Sequence, residues 1–514
     1  MKKTALFIYI FIFLILSLSA KESFTVVFSK LDVSFNPHHT FTSTEAQLYT
    51  AVFEGLLSYH PQTLEPLPAA AESWDVSNGG LTYRFILRKN LKYSNGDRIT
   101  AEHFKNSWLK LMSPESGTDY GSLLNVIKNG ELYRDGKVSA SEVGIIAESE
   151  RVLVINLESK APYLTKVLCH HSFAPIHPDL LENDNWDDDG IIVNGPYSFR
   201  EKKEEYIVFE KNRNYWDSEN VAIQTLRIEF SDDLQTNSES FNKDEIDWLP
   251  DGFDPNTLNI NEAIVLNPLF STTYLFFSNK HEVWQKANVR KALALLLPWE
   301  EIRSSLMMPG STLIPAIPYY PSAEGIKEQN SEEAMRLLKE EGFENGVGLP
   351  PIKIRMPLSD LMTVIGERMK EIWEENLDVD VTIESESYPF YFNSLKKDDY
   401  TIGSLTWIGD YADPMTFLEM WLRSSSLNDA SYSNLEYDEK INNSSVEDFG
   451  ERYKIMSEAE SILLDTAQVM PLGHSPAINI IDLRFIDGWY PNVLDIHPFK
   501  YLKFKAGYII PGTV

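Results

Sequence analysis

Two adjacent histidine pairs, one cysteine and a dense set of carboxylates are the side chains of this chain that could do chemistry. His38-His39 and His170-His171 supply imidazoles for metal ligation or proton transfer. Neighbours in sequence point to opposite faces of a strand and lie about 100° apart on a helix, so each pair needs partners from elsewhere to close a site. Cys169 stands alone, which excludes an intramolecular disulfide and a thiolate metal site; a small buried apolar residue is its expected role. Asn185, Asp187 and Asp189 followed by Gly190 imitate the opening of a calcium loop, but Pro196 stands where a bidentate glutamate is required, and a solvated acidic loop is expected. With 76 Asp and Glu residues, closely spaced carboxylates are too common to single out two as a glycosidase dyad. The sequence holds no Gly-x-x-x-x-Gly-Lys loop, Gly-x-Ser-x-Gly elbow, His-Glu-x-x-His helix or Cys-x-x-Cys pair.

Whatever these residues do, a globular body must hold them. The 514-residue chain is 43% apolar, 12% aromatic and 24% charged, which excludes disordered, collagen-like and coiled-coil classes. At about 150 residues per domain, its length suggests about three compact units. Lys and Arg number 46, giving a net charge of −30. So acidic a surface repels phosphate backbones and anionic lipid, which disfavours nucleic-acid and polybasic membrane roles.

Strand-like and helix-like segments alternate along the chain. Leu81, Tyr83, Phe85 and Leu87 recur at period two and predict a half-buried strand, and Asn95-Gly96 marks a later turn. Thr100 is placed to cap a helix through Phe104 and Trp108. Asn330 and Glu333 have capping-box spacing ahead of the stripe Ala334, Leu337 and Leu338, with Gly342 as the stop. The patterning then predicts strands over 352–356, 379–383 and 400–405, with helices over 361–375 and 388–395 between them. Such a β-α-β-α-β run builds a mostly parallel sheet under helices and places ligands beyond the carboxyl ends of its strands. No repeat and no long Pro/Gly/Ser linker intervenes, so the domains are expected to pack together through strands or short hinges.

The first twenty residues differ in kind. Lys2 and Lys3 precede an apolar run over 5–16, broken only by Tyr9, and small residues lead to Ala20; this predicts a cleavable export signal over 1–20. A membrane anchor is the alternative, but the run falls short of the ~20 residues that span a bilayer. Lipid attachment needs a cysteine directly after Ala20, and Lys21 stands there. A soluble protein outside the cytoplasm, without a lipid anchor, is expected.

Five spaced blocks rise above this background. The first joins Phe53-Glu54-Gly55-Leu56-Leu57 to Leu67-Pro68, Glu72-Ser73-Trp74 and Thr100-Ala101-Glu102. Asn194-Gly195-Pro196-Tyr197 with Asn214-Tyr215-Trp216 makes the second, and Asn288-Val289-Arg290-Lys291-Ala292-Leu293 the third. Trp407-Ile408-Gly409-Asp410-Tyr411-Ala412-Asp413-Pro414 is the fourth; Ala459-Glu460, Leu464-Asp465 and Pro471-Leu472 form the last. In this order, across about residues 25–505, they resemble the substrate-binding proteins of peptide-importing ABC transporters, the oligopeptide- and dipeptide-binding family (bacterial extracellular solute-binding proteins, family 5).

The resemblance implies an α/β fold: a two-lobed periplasmic-binding-protein clamshell with mixed sheets and an extra domain in the first lobe. Carried to this chain, it implies a first lobe from 21–44, 156–265 and 488–508, an extra domain from 45–155, a second lobe from 266–487, and a hinge at crossings near 265 and 487. It implies a periplasmic receptor, not an enzyme, that captures short peptides in the interlobe cleft and delivers them to an ABC permease in the cytoplasmic membrane. A monomer is expected, with no cofactor or metal and no nucleic-acid partner. Receptors for nickel, haem, sugars and opines share the family and remain alternatives. A secreted hydrolase is the more remote one, since no nucleophile–base pair presents itself.

An extended peptide carries unpaired N–H and C=O groups, so the cleft should offer strand edges, while hydrated pockets tolerate many side chains. The terminal ammonium then sets the register. Asp410 matches the family aspartate that pairs with that ammonium; its plain alternative is a turn or cap acid. Trp407 matches a family tryptophan beside the ligand, Thr406 and Ile408 flank it with backbone groups, and Tyr274 aligns with a cleft-lining tyrosine; both aromatics are equally readable as core. The chain departs from the family where arginines ahead of the tryptophan receive the carboxylate of short peptides. Lys396, Lys397 and Arg355 are the substitutes on offer.

Overall fold

The computed structural model describes residues 21–39, 42–186, 190–259, 263–388, 390–397, 399–446 and 448–505. The expected export signal, residues 187–189 of the acidic stretch and the end of the 488–508 segment lie outside the described residues.

Two large sheets organise the chain. The first has seven strands in the order Ile264–Pro268, Pro476–Ile481, Trp248–Leu249, Ser23–Phe28, Thr225–Phe230, Tyr206–Lys211, Tyr197–Lys202. Ser23–Phe28 lies parallel to both its neighbours, and the outer pairs are antiparallel. The second has six, in the order Met308–Pro309, Val469–His474, Ser271–Phe277, Ile402–Ile408, Ile352–Pro357, Val381–Glu386. A four-stranded antiparallel sheet of Ala71–Ser77, Thr82–Leu87, Val152–Asn156 and Ile145–Ser149 makes the extra domain.

The expected β-α-β-α-β run lies in the second sheet. Ile352–Pro357 is parallel to both Val381–Glu386 and Ile402–Ile408, with the helices Asp360–Asn376 and Phe390–Leu395 between them in sequence. Ser359 starts the longer helix by accepting from the Met362 N–H, and Met362, Ile365, Met369, Ile372 and Trp373 are its buried stripe. Ile352, Ile354 and Met356 point to one face of their strand and are buried in the cluster that holds this helix's stripe. Leu81 falls just outside the strand Thr82–Leu87, whose Tyr83, Phe85 and Leu87 are buried. Asn330 caps Ser331–Glu340 through the Glu333 N–H, whereas the Thr100 side chain makes no capping bond to Ala101–Leu111.

The chain leaves the first sheet between Pro268 and Ser271 and returns between His474 and Pro476. The expected return near 487 is displaced. Residues 476–481 complete the first sheet because Ile480 and Ile481 bury in that lobe's cores, and buried Asn479 accepts from Trp248 Nε1 (2.8 Å) while donating to Asp495 (2.9 Å). Likewise the helix Ser43–Val52, expected at the start of the extra domain, packs Leu48, Tyr49 and Val52 into the first-lobe core beside Phe24 and Phe35. A continuous buried apolar cluster runs from Phe85 and Trp108 of the extra domain to Tyr274, Tyr411 and Trp421 of the second lobe, so the two halves are closed on each other. No helix among the described residues is long and apolar enough to cross a membrane.

Candidate functional site

The strand Ile402–Ile408 ends in a turn whose shape is fixed from several sides. Gly409 donates to the Phe270 carbonyl (2.9 Å), and a Cβ there would meet Phe270 Cδ1 and Thr416 Cγ2, each at 2.9 Å. The Asp410 N–H donates to Thr416 Oγ1 (3.0 Å). Asp413 accepts from the Met415 N–H (3.0 Å) and takes a buried two-pronged pair from Arg452 at 2.7 and 2.9 Å. Sequence-local caps and one distant arginine thus aim Asp410 away from its own sheet.

The Asp410 side chain is only 9% exposed, and the groups around it come from the opposite half of the molecule. Tyr120 donates its hydroxyl to Oδ1 (3.3 Å), His170 Nε2 stands 4.0 Å from the same oxygen, and the Tyr59 hydroxyl donates to the Asp410 carbonyl (3.1 Å). Asp410 Oδ2 is buried with no hydrogen-bond partner among the described residues. Burial pushes the carboxyl up to about 7, the Tyr120 bond opposing it. Burial also drives His170 down to about 3, and its Nδ1 accepts from the Ser172 N–H (3.4 Å), so a neutral imidazole faces the acid and leaves it without a counter-charge. A buried, uncompensated acid with a spare oxygen is a strong acceptor for a cationic hydrogen-bond donor.

The other expected residues divide. By strand register Trp407 and Tyr274 share one face of the sheet, and Thr406 and Ile408 the other. Trp407 is half-buried with its indole Nε1 unpartnered, next to the aromatic cluster. Tyr274 is fully buried, its rings Phe276 and Trp421 at 6.3 and 6.0 Å and its hydroxyl directed to Met420 Sδ (3.7 Å), so it packs as a core residue instead of lining the cleft. Thr406 is exposed and shares a hydroxyl bond with Thr273 (2.8 Å). Ile354 pairs with Ile402 alone, so beyond Ser404, which bonds the Tyr391 hydroxyl, the edge toward Ile352–Pro357 has no strand partner among the described residues.

Arg355 is excluded as a carboxylate receiver. Its fork is consumed by Glu384 (2.6 Å), Asp399 (2.8 Å) and the Ser394 carbonyl (2.8 Å), inside the second lobe. Lys396 bridges the halves to Asp119 (3.1 Å) and, with Lys280, lines a cavity of about 350 Å³ beside Asp119 and Asp429. Tyr59, Tyr120 and His170 carry no local signal; His170 is readable in sequence only as one of a pair, and residues far apart in the chain meet here only through closure. No group of three or more His, Cys, Asp or Glu among the described residues is arranged to hold a metal; the His170 and His171 ring centroids lie 3.9 Å apart with the rings tilted by 37°. The Cys169 thiol donates to the Thr165 carbonyl (3.4 Å), and burial pushes it well up from its ordinary range, so it is inert.

Two lobes joined by two crossings, with an extra domain closing over a buried acid, define the periplasmic-binding-protein class. The family model of bacterial extracellular solute-binding proteins, family 5 (middle region), matches residues 65–429, and the chain belongs to that family of solute-binding receptors. The oligopeptide-binding protein of Bacillus subtilis is 28% identical over 463 residues, covering 85% of each chain. The periplasmic oligopeptide-binding protein of Salmonella typhimurium is 27% identical over 502 residues, 93% of this chain and 90% of its own. Among solved structures, a periplasmic oligopeptide-binding protein of Borrelia burgdorferi superposes with a TM-score of 0.82 at 28% identity, over 94% of this chain and 100% of that one.

Proposed function

We propose that this chain is the extracytoplasmic receptor of a peptide importer: it captures short peptides in extended form between its lobes and hands them to an ABC permease in the cytoplasmic membrane, without catalysis. The observation that carries this reading is the buried Asp410 carboxylate, facing the opposite half with one oxygen unpartnered. A peptide's terminal ammonium supplies the missing charge and donors. The unpaired edge beyond Ser404 receives its main chain as an added strand, so backbone bonds provide affinity without reading side chains. Lys396, which stands where the halves meet, can exchange its Asp119 partner for the carboxylate of a short peptide. Closure of the lobes on ligand then presents the surface that the permease reads. The mature protein is a periplasmic monomer released by cleavage after Ala20.

A melting-temperature screen tests this reading, with peptides of two to six residues bearing free or acetylated amino termini, against wild type and Asp410→Asn. At 100 times its dissociation constant a ligand stabilises by about 2.7 kcal/mol, easily seen as a shift. Free-amine peptides should raise the wild-type midpoint, acetylated ones and the variant much less. Indifference of the wild type to both length and amine would end the peptide reading.

A further inference from the structure

A second acid follows Asp410 past the short helix Met415–Leu418, at the head of the helical turn Glu419–Trp421. Glu419 accepts from the Tyr411 hydroxyl through Oε1, and no other donor among the described residues reaches it. It lines a cavity of about 310 Å³ between the extra domain and the second lobe, at the lower end of the ~300–1,000 Å³ of ligand pockets and so suited to one side chain, not a whole peptide. Tyr163 and Met415 supply apolar wall, while Glu131 and Glu158 add charge toward solvent. No lysine or arginine among the described residues lines this space. Arg134, bonded to two residues of the lining, is turned to Asn125 Oδ1 (3.0 Å) and the Ser424 carbonyl (3.3 Å). Arg452, behind Tyr163, is committed to Asp413.

We propose that this cavity takes a lysine or arginine side chain of the bound peptide, its alkyl stem against Tyr163 and Met415 and its charge on Glu419. The inference rests on the peptide-receptor reading and gives it a substrate class: peptides carrying a basic residue. Walls that are apolar with a charged end match the division of a long basic side chain into stem and head. The groups that act electrostatically on Glu419 among the described residues are Tyr411, Tyr163, Tyr437, Asp410 and Asp413, all neutral or acidic, while Arg452 lies over the Tyr163 ring and is paired with Asp413. Burial pushes the Glu419 carboxyl up to about 8, so an arriving cation ionises it and a proton leaves to solvent.

Calorimetric titration of the full chain tests this, using alanine tripeptides with lysine or its uncharged analogue norleucine at the first, second or third position. At one position lysine should bind about tenfold more tightly, as a charge-assisted bond requires. Paired titrations in buffers of different ionisation enthalpy should show more proton release with that lysine peptide than with its norleucine counterpart. In Glu419→Gln, which keeps the acceptor for Tyr411, both the lysine advantage and the extra proton release should vanish. Equal binding of lysine and norleucine at every position in wild type overturns the inference, as does a Glu419→Gln variant that weakens both peptides alike. If the variant does not fold, the two wild-type comparisons still decide. If no tripeptide binds, the same substitutions in the shortest peptide that raises the melting temperature decide, and failure of every peptide of two to six residues overturns the receptor reading and this inference with it.

Discussion

Asp410 is held in a protonation state that its ligand must change. Its carboxyl, raised to about 7 by burial, is shared between acid and anion in the unliganded protein at neutral pH. An ammonium at Oδ2 needs the anion, so binding releases a proton below that value, and affinity for free-amine peptides should fall about tenfold per unit as pH drops below about 7. Titrations across pH check this; a flat profile contradicts it. The sign for stability follows from the same shift. An acid whose folded value lies above its unfolded value of about 3.9 favours the folded state below that value, and the benefit is lost as pH rises through about 7. The unliganded Asp410→Asn variant should therefore lose less melting temperature than wild type between about pH 5 and pH 8. The slope should shrink without vanishing, since Glu419 at about 8 and Glu460 at about 7 act in the same direction. Asp410 is legible in sequence because its block carries the family pattern, whereas Tyr120 and His170 are not, since no local rule places them beside a residue more than 200 positions away.

At the element scale, the turn after Ile402–Ile408 depends on the Asp413–Arg452 pair, in which both side chains are less than a tenth exposed. Removing one member of a buried pair strands the other, at a cost of about 3–5 kcal/mol. Arg452→Met should lose about that much in urea unfolding, and adding Asp413→Asn should restore part of it; a loss within error would show that the pair does not hold the turn. Strands and helices of the second sheet are readable from apolar periodicity, but their ends shift. The strand expected over 379–383 is Val381–Glu386, because Val379 still belongs to a turn bonded to the Leu377 carbonyl (3.0 Å). The strand expected over 400–405 runs to Ile408, since pairing with Ser271–Phe277 extends it past the apolar run. Tyr274 shows the limit of alternation: every residue of Ser271–Phe277 is buried, so period two cannot tell a cleft wall from a core.

For the whole molecule, closure rests on many modest contacts around one strong site. Lys396 meets Asp119 across the halves, Asn125 and Arg134 reach the Ser424 carbonyl, and Lys166 donates to the Ala412 carbonyl (3.1 Å). The Lys396–Asp119 pair is 42% and 20% exposed and so contributes about 0–1 kcal/mol. Lys396→Ala should weaken peptide binding far less than Asp410→Asn while preserving the demand for a free amine; abolished binding would move the anchor to the carboxylate end. Solution scattering should show a smaller radius of gyration with peptide than without. The two-lobed plan is visible in sequence through the order of the blocks, but the return crossing is not. Residues 476–481 fall in the expected second lobe, and only the Asn479–Trp248 bond places them in the first.

The most direct test is a crystal structure of the protein with tri-alanine. The account predicts the terminal ammonium within hydrogen-bonding distance of Asp410 Oδ2 and the tripeptide main chain paired along the edge beyond Ser404. A peptide bound with its amine in solvent, or seated elsewhere while Asp410 keeps only its Tyr120 contact, would contradict it.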